Sequence, residues 1–125
     1  MARPRGSNSR PEWSVKLTSL RTPAYYQGKI VAGGVGTISA IYPDGVSEPL
    51  PIPARYVIDG FTWGSATTES GRGAAASLVS HLADRFDTVT PTEDTIQRLA
   101  RSLIARLAEG QDWQISSLDV YIRLT

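Results

Sequence analysis

Alternation of apolar and polar residues dominates the first half of the chain and predicts β-strands. Trp13, Val15 and Leu17 alternate with polar residues, which is the period-two pattern of a strand with one buried face. We therefore expect a first strand over residues 13–20. Residues 25–42 are rich in β-branched and aromatic residues but contain the glycines of a GGVG sequence. They predict two strands that are joined or bent at this sequence.

Turn residues separate these strands from the next apolar segment. The PDG sequence at 43–45 offers a proline for the first corner, an aspartate acceptor and a glycine for positive φ, so it predicts a hairpin. The prolines of SEPLPIPAR suit an edge strand or a loop. Strand character returns from Tyr56 to Trp63, where we expect another strand with a possible bulge at Gly60.

The apolar period then changes from two to about 3.6 residues, which predicts two helices. The first should run from Gly71 or Gly73 to Arg85, and its small residues permit close approach to a sheet. The second begins at TPTE, with Thr90 as the cap, a proline at the first helical position and a glutamate at the third, and it should end at Gly110. Its expected buried stripe is Ile96, Leu99, Ala100, Leu103, Ile104 and Leu107.

The last segment alternates again, but its apolar positions change parity between Ile115 and Leu118. A bulge at Ser116 and Ser117 would reconcile the two halves as one final strand, and a short helix capped by Ser117 is the alternative. The order of elements predicts an α+β domain. We expect a mostly antiparallel sheet of about five or six strands, with both helices packed on one face.

Size and charge restrict this to one domain with a basic tail. A chain of 125 residues fits a single core, which we place at residues 12–125. Residues 1–11 carry three arginines and no acid, and their Pro, Gly, Ser and Asn content predicts a flexible tail. Such a tail can touch nucleic-acid phosphates or simply be solvated. The slightly acidic remainder argues against a dedicated nucleic-acid binder.

Composition also excludes several functions. The chain has no cysteine and one histidine, so it offers no disulfide and no thiolate nucleophile and leaves little for metal binding. We expect no metal and no cofactor. No apolar run is long enough to span a bilayer or to form a secretory signal, and we expect a cytoplasmic protein. No nucleophile elbow or paired-carboxylate signature is present, so we expect a protein that is not an enzyme.

Three short motifs carry a resemblance to a known family. Tyr26-x-Gly28, then Phe61-x-Trp63-Gly64 before a glycine-rich helix entry, and finally Trp113-x-Ile115 with Asp119-Val120 resemble the pattern of small bacterial and phage proteins classified only as a domain of unknown function. The resemblance covers roughly residues 25–123. In that family a tyrosine and a Gly-Ser-Gly-Pro step follow the tryptophan-glycine pair. Here Ser65 replaces the tyrosine and Arg72 replaces the proline. The family supplies no activity.

The same helix entry is the candidate ligand site. A helix N-terminus has unpaired N–H groups and a partial positive charge, which favours an anion. Ser70, Gly71, Arg72 and Gly73 would add a hydroxyl, two unobstructed backbone positions and a guanidinium for a phosphate. Aromatic faces on the preceding strand would stack a nucleobase. The predicted ligand-binding residues are Phe61, Trp63, Gly64, Ser70, Gly71, Arg72, Gly73 and, as a second basic contact, Arg98.

The alternative assigns these residues to structure. Ser70 would then cap the helix, Phe61 and Trp63 would fill the core, and Arg72 would be solvated. The nearby Glu69 also opposes an anion.

Two functions follow from these alternatives. The first is a non-catalytic binder of a nucleotide or a cyclic, phosphate-bearing signal. The element order is similar to that of phage anti-Thoeris sponges, which oligomerise and sequester cyclic ADP-ribose-type signals, and this likeness implies an anti-defence role. The second is a protein-interaction or regulatory module without a small ligand. We also expect a homo-oligomer, because one small core would not absorb Tyr25, Tyr26 and Tyr121.

Overall fold

The computed structural model describes residues 20–31 and 33–124. The predicted basic tail at 1–11 and, apart from Leu20, the predicted first strand lie outside these residues. Leu20 itself belongs to no strand or helix.

The described sheet is antiparallel and has four strands in the order β3-β2-β1-β4. β1 (Tyr25–Ile30) pairs with β2 (Gly36–Ile41), and β2 pairs with the short edge strand β3 (Ser47–Pro49). Both predicted turns are confirmed. Gly33 and Gly34, between β1 and β2, have positive φ, and Gly45 has a φ of 89° in the turn that leads to β3.

Side chains on one face of this sheet build the core together with the helices. Tyr26 on β1 and Ile38 and Ala40 on β2 are fully buried, whereas Lys29 and Thr37 on the opposite face are exposed. The period-two pattern therefore correctly indicates a sheet with one buried face. The predicted α+β class is confirmed.

The first helix, α1 (Glu69–Ala83), starts earlier than predicted. Thr68 is its N-cap, because the Thr68 hydroxyl accepts a hydrogen bond from the Gly71 N–H. Leu78, Val79 and Leu82 are fully buried on its inner side. The alanine-rich sequence lets α1 pack closely against the second helix.

The second helix, α2 (Glu93–Ser102), is shorter than predicted. Its cap is Thr92 rather than Thr90, and a 3-10 turn (Ile104–Arg106) follows it, so the α-helix ends well before Gly110. The predicted stripe is nevertheless correct. Within the predicted stripe Leu107 is partly buried, and the buried members are Ile96, Leu99, Ala100, Leu103 and Ile104.

The C-terminal segment combines the two predicted alternatives. β4 (Trp113–Ser116) pairs with β1, and a helix, α3 (Ser117–Leu124), follows directly. The Ser116 hydroxyl accepts from the Asp119 N–H and occupies the capping position that we expected for Ser117. The parity change in the sequence thus marks a change from strand to helix.

The strand predicted from Tyr56 to Trp63 is wrong. Phe61 forms an isolated bridge with Gly36, and the rest of this segment is irregular. The reason lies at the edge of β2, where β3 and then Leu50, whose N–H donates to the Ile38 carbonyl, already occupy the hydrogen-bonding positions. Residues 56–63 therefore pair with the sheet at Gly36, where the edge of β2 is free.

Candidate functional site

The loop before α1 fills the space that we expected a ligand to occupy. A Cβ atom at Gly71 would collide with the Ser65 carbonyl and lie 2.8 Å from the Thr68 hydroxyl. A Cβ atom at Gly73 would lie 2.6 Å from the Ile58 side chain. These glycines therefore make room for the protein's own preceding segments. The Gly71 N–H donates to the Thr68 hydroxyl, so it is not open to a phosphate.

The two aromatic rings of the predicted site lie in the core. Phe61 is 2% exposed and Trp63 is 3% exposed, so the expected outward orientation of both rings is wrong. The Trp63 indole donates a hydrogen bond to the Gln111 carbonyl at 2.7 Å and meets Trp113 edge-on. The structural alternative for these two residues is correct, and Trp63 offers no face to a nucleobase.

The remaining predicted site residues do not converge. Arg72 is exposed, as the structural alternative expected, whereas Ser70 is half-buried and does not cap the helix. Gly64 donates its N–H to the Ile104 carbonyl, which ties it to the 3-10 turn. Arg98 reaches the other way, to the carbonyl of Leu124 at the end of α3.

An apolar pocket of about 160 Å³ lies instead beside the edge of the sheet. It opens where the ends of β1, β2 and β3 meet the irregular segment after β3. Phe61 is the one predicted site residue that contributes to it. The lining residues are Val31, Val35, Gly36, Thr37, Ile38, Pro49, Leu50, Ile52, Asp59, Gly60 and Phe61.

The hydrogen bonding of β2 explains why a pocket forms at this place. Gly36 exchanges two backbone hydrogen bonds with Phe61, and the Ile38 carbonyl accepts from Leu50. Between these two connections, residues 51–60 form a proline-rich segment that leaves the edge of β2 after Leu50 and returns to it at Phe61. Two aliphatic side chains at the rim remain open to solvent, Val31 at 45% and Ile52 at 38% exposure.

A second feature is a polar chain that connects the sheet to α1. The Tyr26 hydroxyl lies 2.8 Å from His81 Nδ1, and His81 Nε2 lies 3.1 Å from Glu48 Oε1. The same Glu48 oxygen accepts from the Tyr42 hydroxyl at 2.5 Å, and Arg85 donates to Tyr42 at 3.1 Å. Because a carboxylate only accepts, neutral His81 carries its proton on Nε2 and accepts from Tyr26 at Nδ1.

The pKa shifts of these hydrogen-bonded side chains favour a structural role for them. Burial raises the pKa of the Tyr26 phenol well above its usual range, and Tyr26 has no exposed surface. Burial also lowers the pKa of His81, and the hydrogen bond from Tyr42 lowers the pKa of Glu48. The order Tyr-His-Glu has the form of a nucleophile, a base and an orienting acid. However, a buried phenol that stays protonated offers no nucleophile to a substrate.

The part of the chain that the structure describes holds neither a metal-binding cluster nor a helix that could span a membrane. No group of three or more His, Asp or Glu side chains there could hold a metal ion. None of the described helices combines the length and the apolar composition needed to cross a bilayer.

Comparison with known proteins adds no relative. No family model, curated protein or solved structure matches the chain. The resemblance to the family of small bacterial and phage proteins, and the looser likeness to the sponges, therefore stay predictions.

Proposed function

We propose that this protein is a non-catalytic binding protein that receives an apolar side chain of a partner polypeptide in the pocket beside β3. The observation that carries the proposal is the pocket itself, with its buried Phe61 and its two exposed aliphatic rim residues, Val31 and Ile52. An apolar cavity of about 150 Å³ accommodates a benzene ring. A pocket of about 160 Å³ is thus large enough for a phenylalanine or leucine side chain.

The edge strand supports insertion of a side chain over addition of a strand. β3 has only three residues, and Pro49 at its end has no N–H to donate to a partner strand. Glu48 also places a carboxylate on this edge. Short strands, charges and prolines are devices that hinder pairing with another chain.

The proposal is tested by titration with capped amino acids. N-acetylphenylalaninamide and N-acetylleucinamide are expected to shift the backbone amide NMR signals of Val31, Val35 and Gly60. N-acetylglycinamide, which has no side chain, is the control probe and should leave these signals unchanged. Equal shifts with all three probes, or no shift with any, would contradict the proposal.

A matched pair of variants locates the binding. Ile52→Asp places a charge at the rim of the pocket and is expected to weaken binding of N-acetylphenylalaninamide about tenfold, because it replaces an aliphatic wall by a carboxylate. Val57→Asp makes the same kind of change on the same segment, at a residue that is 93% exposed and does not line the pocket. Val57→Asp should bind as the parent does.

Nucleotide binding is the second candidate. One observation favours it: Arg72 is exposed near the start of α1, and its guanidinium has no partner within residues 20–31 and 33–124. A nucleotide present at one hundred times its dissociation constant would add about 2.7 kcal/mol to stability. A rise in melting temperature with ATP or cyclic ADP-ribose that Arg72→Ala abolishes would support this candidate, and its absence would contradict it.

We also propose a homo-oligomer, but on a different basis from the tyrosines named above. Tyr26 is fully buried, and Tyr25 and Tyr121 are half-buried, so the expectation that all three are exposed is wrong. Leu118 on α3 is instead 65% exposed. Light scattering over a hundredfold range of protein concentration tests the proposal, and a constant monomer mass would contradict it.

A further inference from the structure

Among the residues that the structure describes, the apolar pocket has one charged residue in its lining. Asp59 is exposed at the rim, and its carboxylate forms no hydrogen bond or salt bridge with any residue in the described ranges. The other lining residues are apolar apart from Thr37. A carboxylate beside an apolar wall can pair with a charge that a ligand brings.

We propose that the group received by this pocket is flanked by a cation, so that the partner presents an apolar side chain next to a lysine, an arginine or a free amino group. This inference rests on the proposed function and adds the charge of the partner to it. The apolar side chain fills the space above Phe61, and the cation lies against Asp59. A segment with an acidic neighbour would instead bring two carboxylates together.

Asp59 is the charge that the described part of the lining offers to a ligand. Asp112, which accepts a hydrogen bond from the Ile30 N–H at 2.9 Å, directly precedes β4 on the side of β1 away from β2 and does not line the pocket. Lys29 lies opposite Thr37 in the register of β1 and β2 and is not part of the lining either. Attraction between exposed charges is modest and screened by salt, so it changes selectivity more than affinity.

Three probes with the same ring and different charges test the inference. Phenethylamine is cationic, 2-phenylethanol is neutral and 3-phenylpropionate is anionic at pH 7. Titrations of the full chain at low ionic strength, followed by the amide signals of Val31 and Gly60, give the three dissociation constants. Phenethylamine is expected to bind about two- to fivefold more tightly than 3-phenylpropionate. At about 1 M NaCl, where the Debye length falls to about 3 Å, the difference should shrink.

Asp59→Asn assigns the selectivity to one carboxylate. This variant keeps the shape of the side chain and is expected to reduce the preference for phenethylamine while 2-phenylethanol binds unchanged. Asp87→Asn is the matched control, because Asp87 is also exposed but does not line the pocket. A preference that survives in Asp59→Asn would overturn the inference.

The outcomes separate this inference from the proposed function. Equal binding of all three probes at the pocket would overturn the charge preference and leave the binding function intact. Absence of binding by all three would overturn both. Trp13→Ala tests another occupant: tighter probe binding by this variant would show that the chain's own N-terminal residues compete for the pocket and would overturn its assignment to a partner. Probe affinity that falls as the protein concentration rises would show that a second copy of the protein occupies the pocket, and it would likewise overturn the assignment to a partner.

Discussion

At the scale of single residues, two glycines of the sheet determine how closely the tryptophan rings approach it. A Cβ atom at Gly28 would overlap the Trp113 ring, and one at Gly36 would overlap the Trp63 ring. The two rings meet edge-on, with centroids 5.6 Å apart and planes at 87°. Both rings therefore lie directly on the backbone of the sheet. Gly28, Trp63 and Trp113, which belong to the sequence motifs, therefore serve the packing of the core.

Gly36→Ala is expected to lower the free energy of unfolding by about 1–3 kcal/mol, the usual cost of overpacking a core. The backbone of Gly36 is not among those with positive φ, so the effect comes from the contact with Trp63. Urea denaturation measures the change. Thr37→Ala is the control on the next residue, which is exposed, and should change stability by less than about 0.5 kcal/mol. Equal stability of Gly36→Ala and the parent would show that the Trp63 ring moves freely.

At the scale of elements, helix caps explain why the boundaries differ from the predictions. The sequence before α1 contains several residues that can cap a helix, and local chemistry alone does not select between Thr68 and Ser70. In the structure Thr68 occupies the cap, since its hydroxyl accepts from the Gly71 N–H, and the Ser65 carbonyl lies where a side chain at Gly71 would be. The strands at 25–30 and 36–41 were predictable because β-branched and aromatic residues lie on both sides of the turn at Gly33 and Gly34. The segment at 56–63 has strand-like residues, but its place at the sheet was already occupied.

Thr68→Ala is expected to cost about 1 kcal/mol of stability, because the Gly71 N–H loses its acceptor at the start of α1. Ser70→Ala is the matched control and should be nearly neutral, since the Ser70 hydroxyl caps no N–H of the helix. Thermal or urea unfolding of both variants measures the difference. A larger loss with Ser70→Ala than with Thr68→Ala would mean that the helix starts where the sequence predicted.

At the scale of the whole molecule, the polar chain joins parts of the sequence that no local pattern connects. His81 lies 55 residues from Tyr26 and 33 residues from Glu48 along the chain. The pocket likewise combines three strand ends with a segment after β3. Sequence periodicity shows that a side chain is apolar or buried, but it does not show which distant side chain it meets. This is why the fold class was predictable and the sites were not.

The hydrogen-bonded side chains of Tyr26, His81 and Glu48 make the stability of the protein depend on pH. Tyr26 from β1, Glu48 from β3, and Asp84 and Arg85 from the C-terminal end of α1 act on His81, and burial lowers its pKa below the ordinary value of 6.5. The unfolded chain therefore takes up a proton at higher pH than the folded protein does. His81 contributes stability that is complete above pH 6.5 and is lost as the pH falls through its folded pKa.

His81→Gln isolates that contribution, since a glutamine amide can donate to Glu48 and accept from Tyr26 but does not titrate. The parent is expected to lose free energy of unfolding as the pH falls from about 6.5, whereas the variant should stay level there. Both proteins should lose stability at lower pH, because the hydrogen bond from Tyr42 lowers the pKa of Glu48 below its usual 4.5 and protonation removes that acceptor. Urea titrations at closely spaced pH values measure both steps. The same loss near pH 6 in His81→Gln would assign the first step to another group.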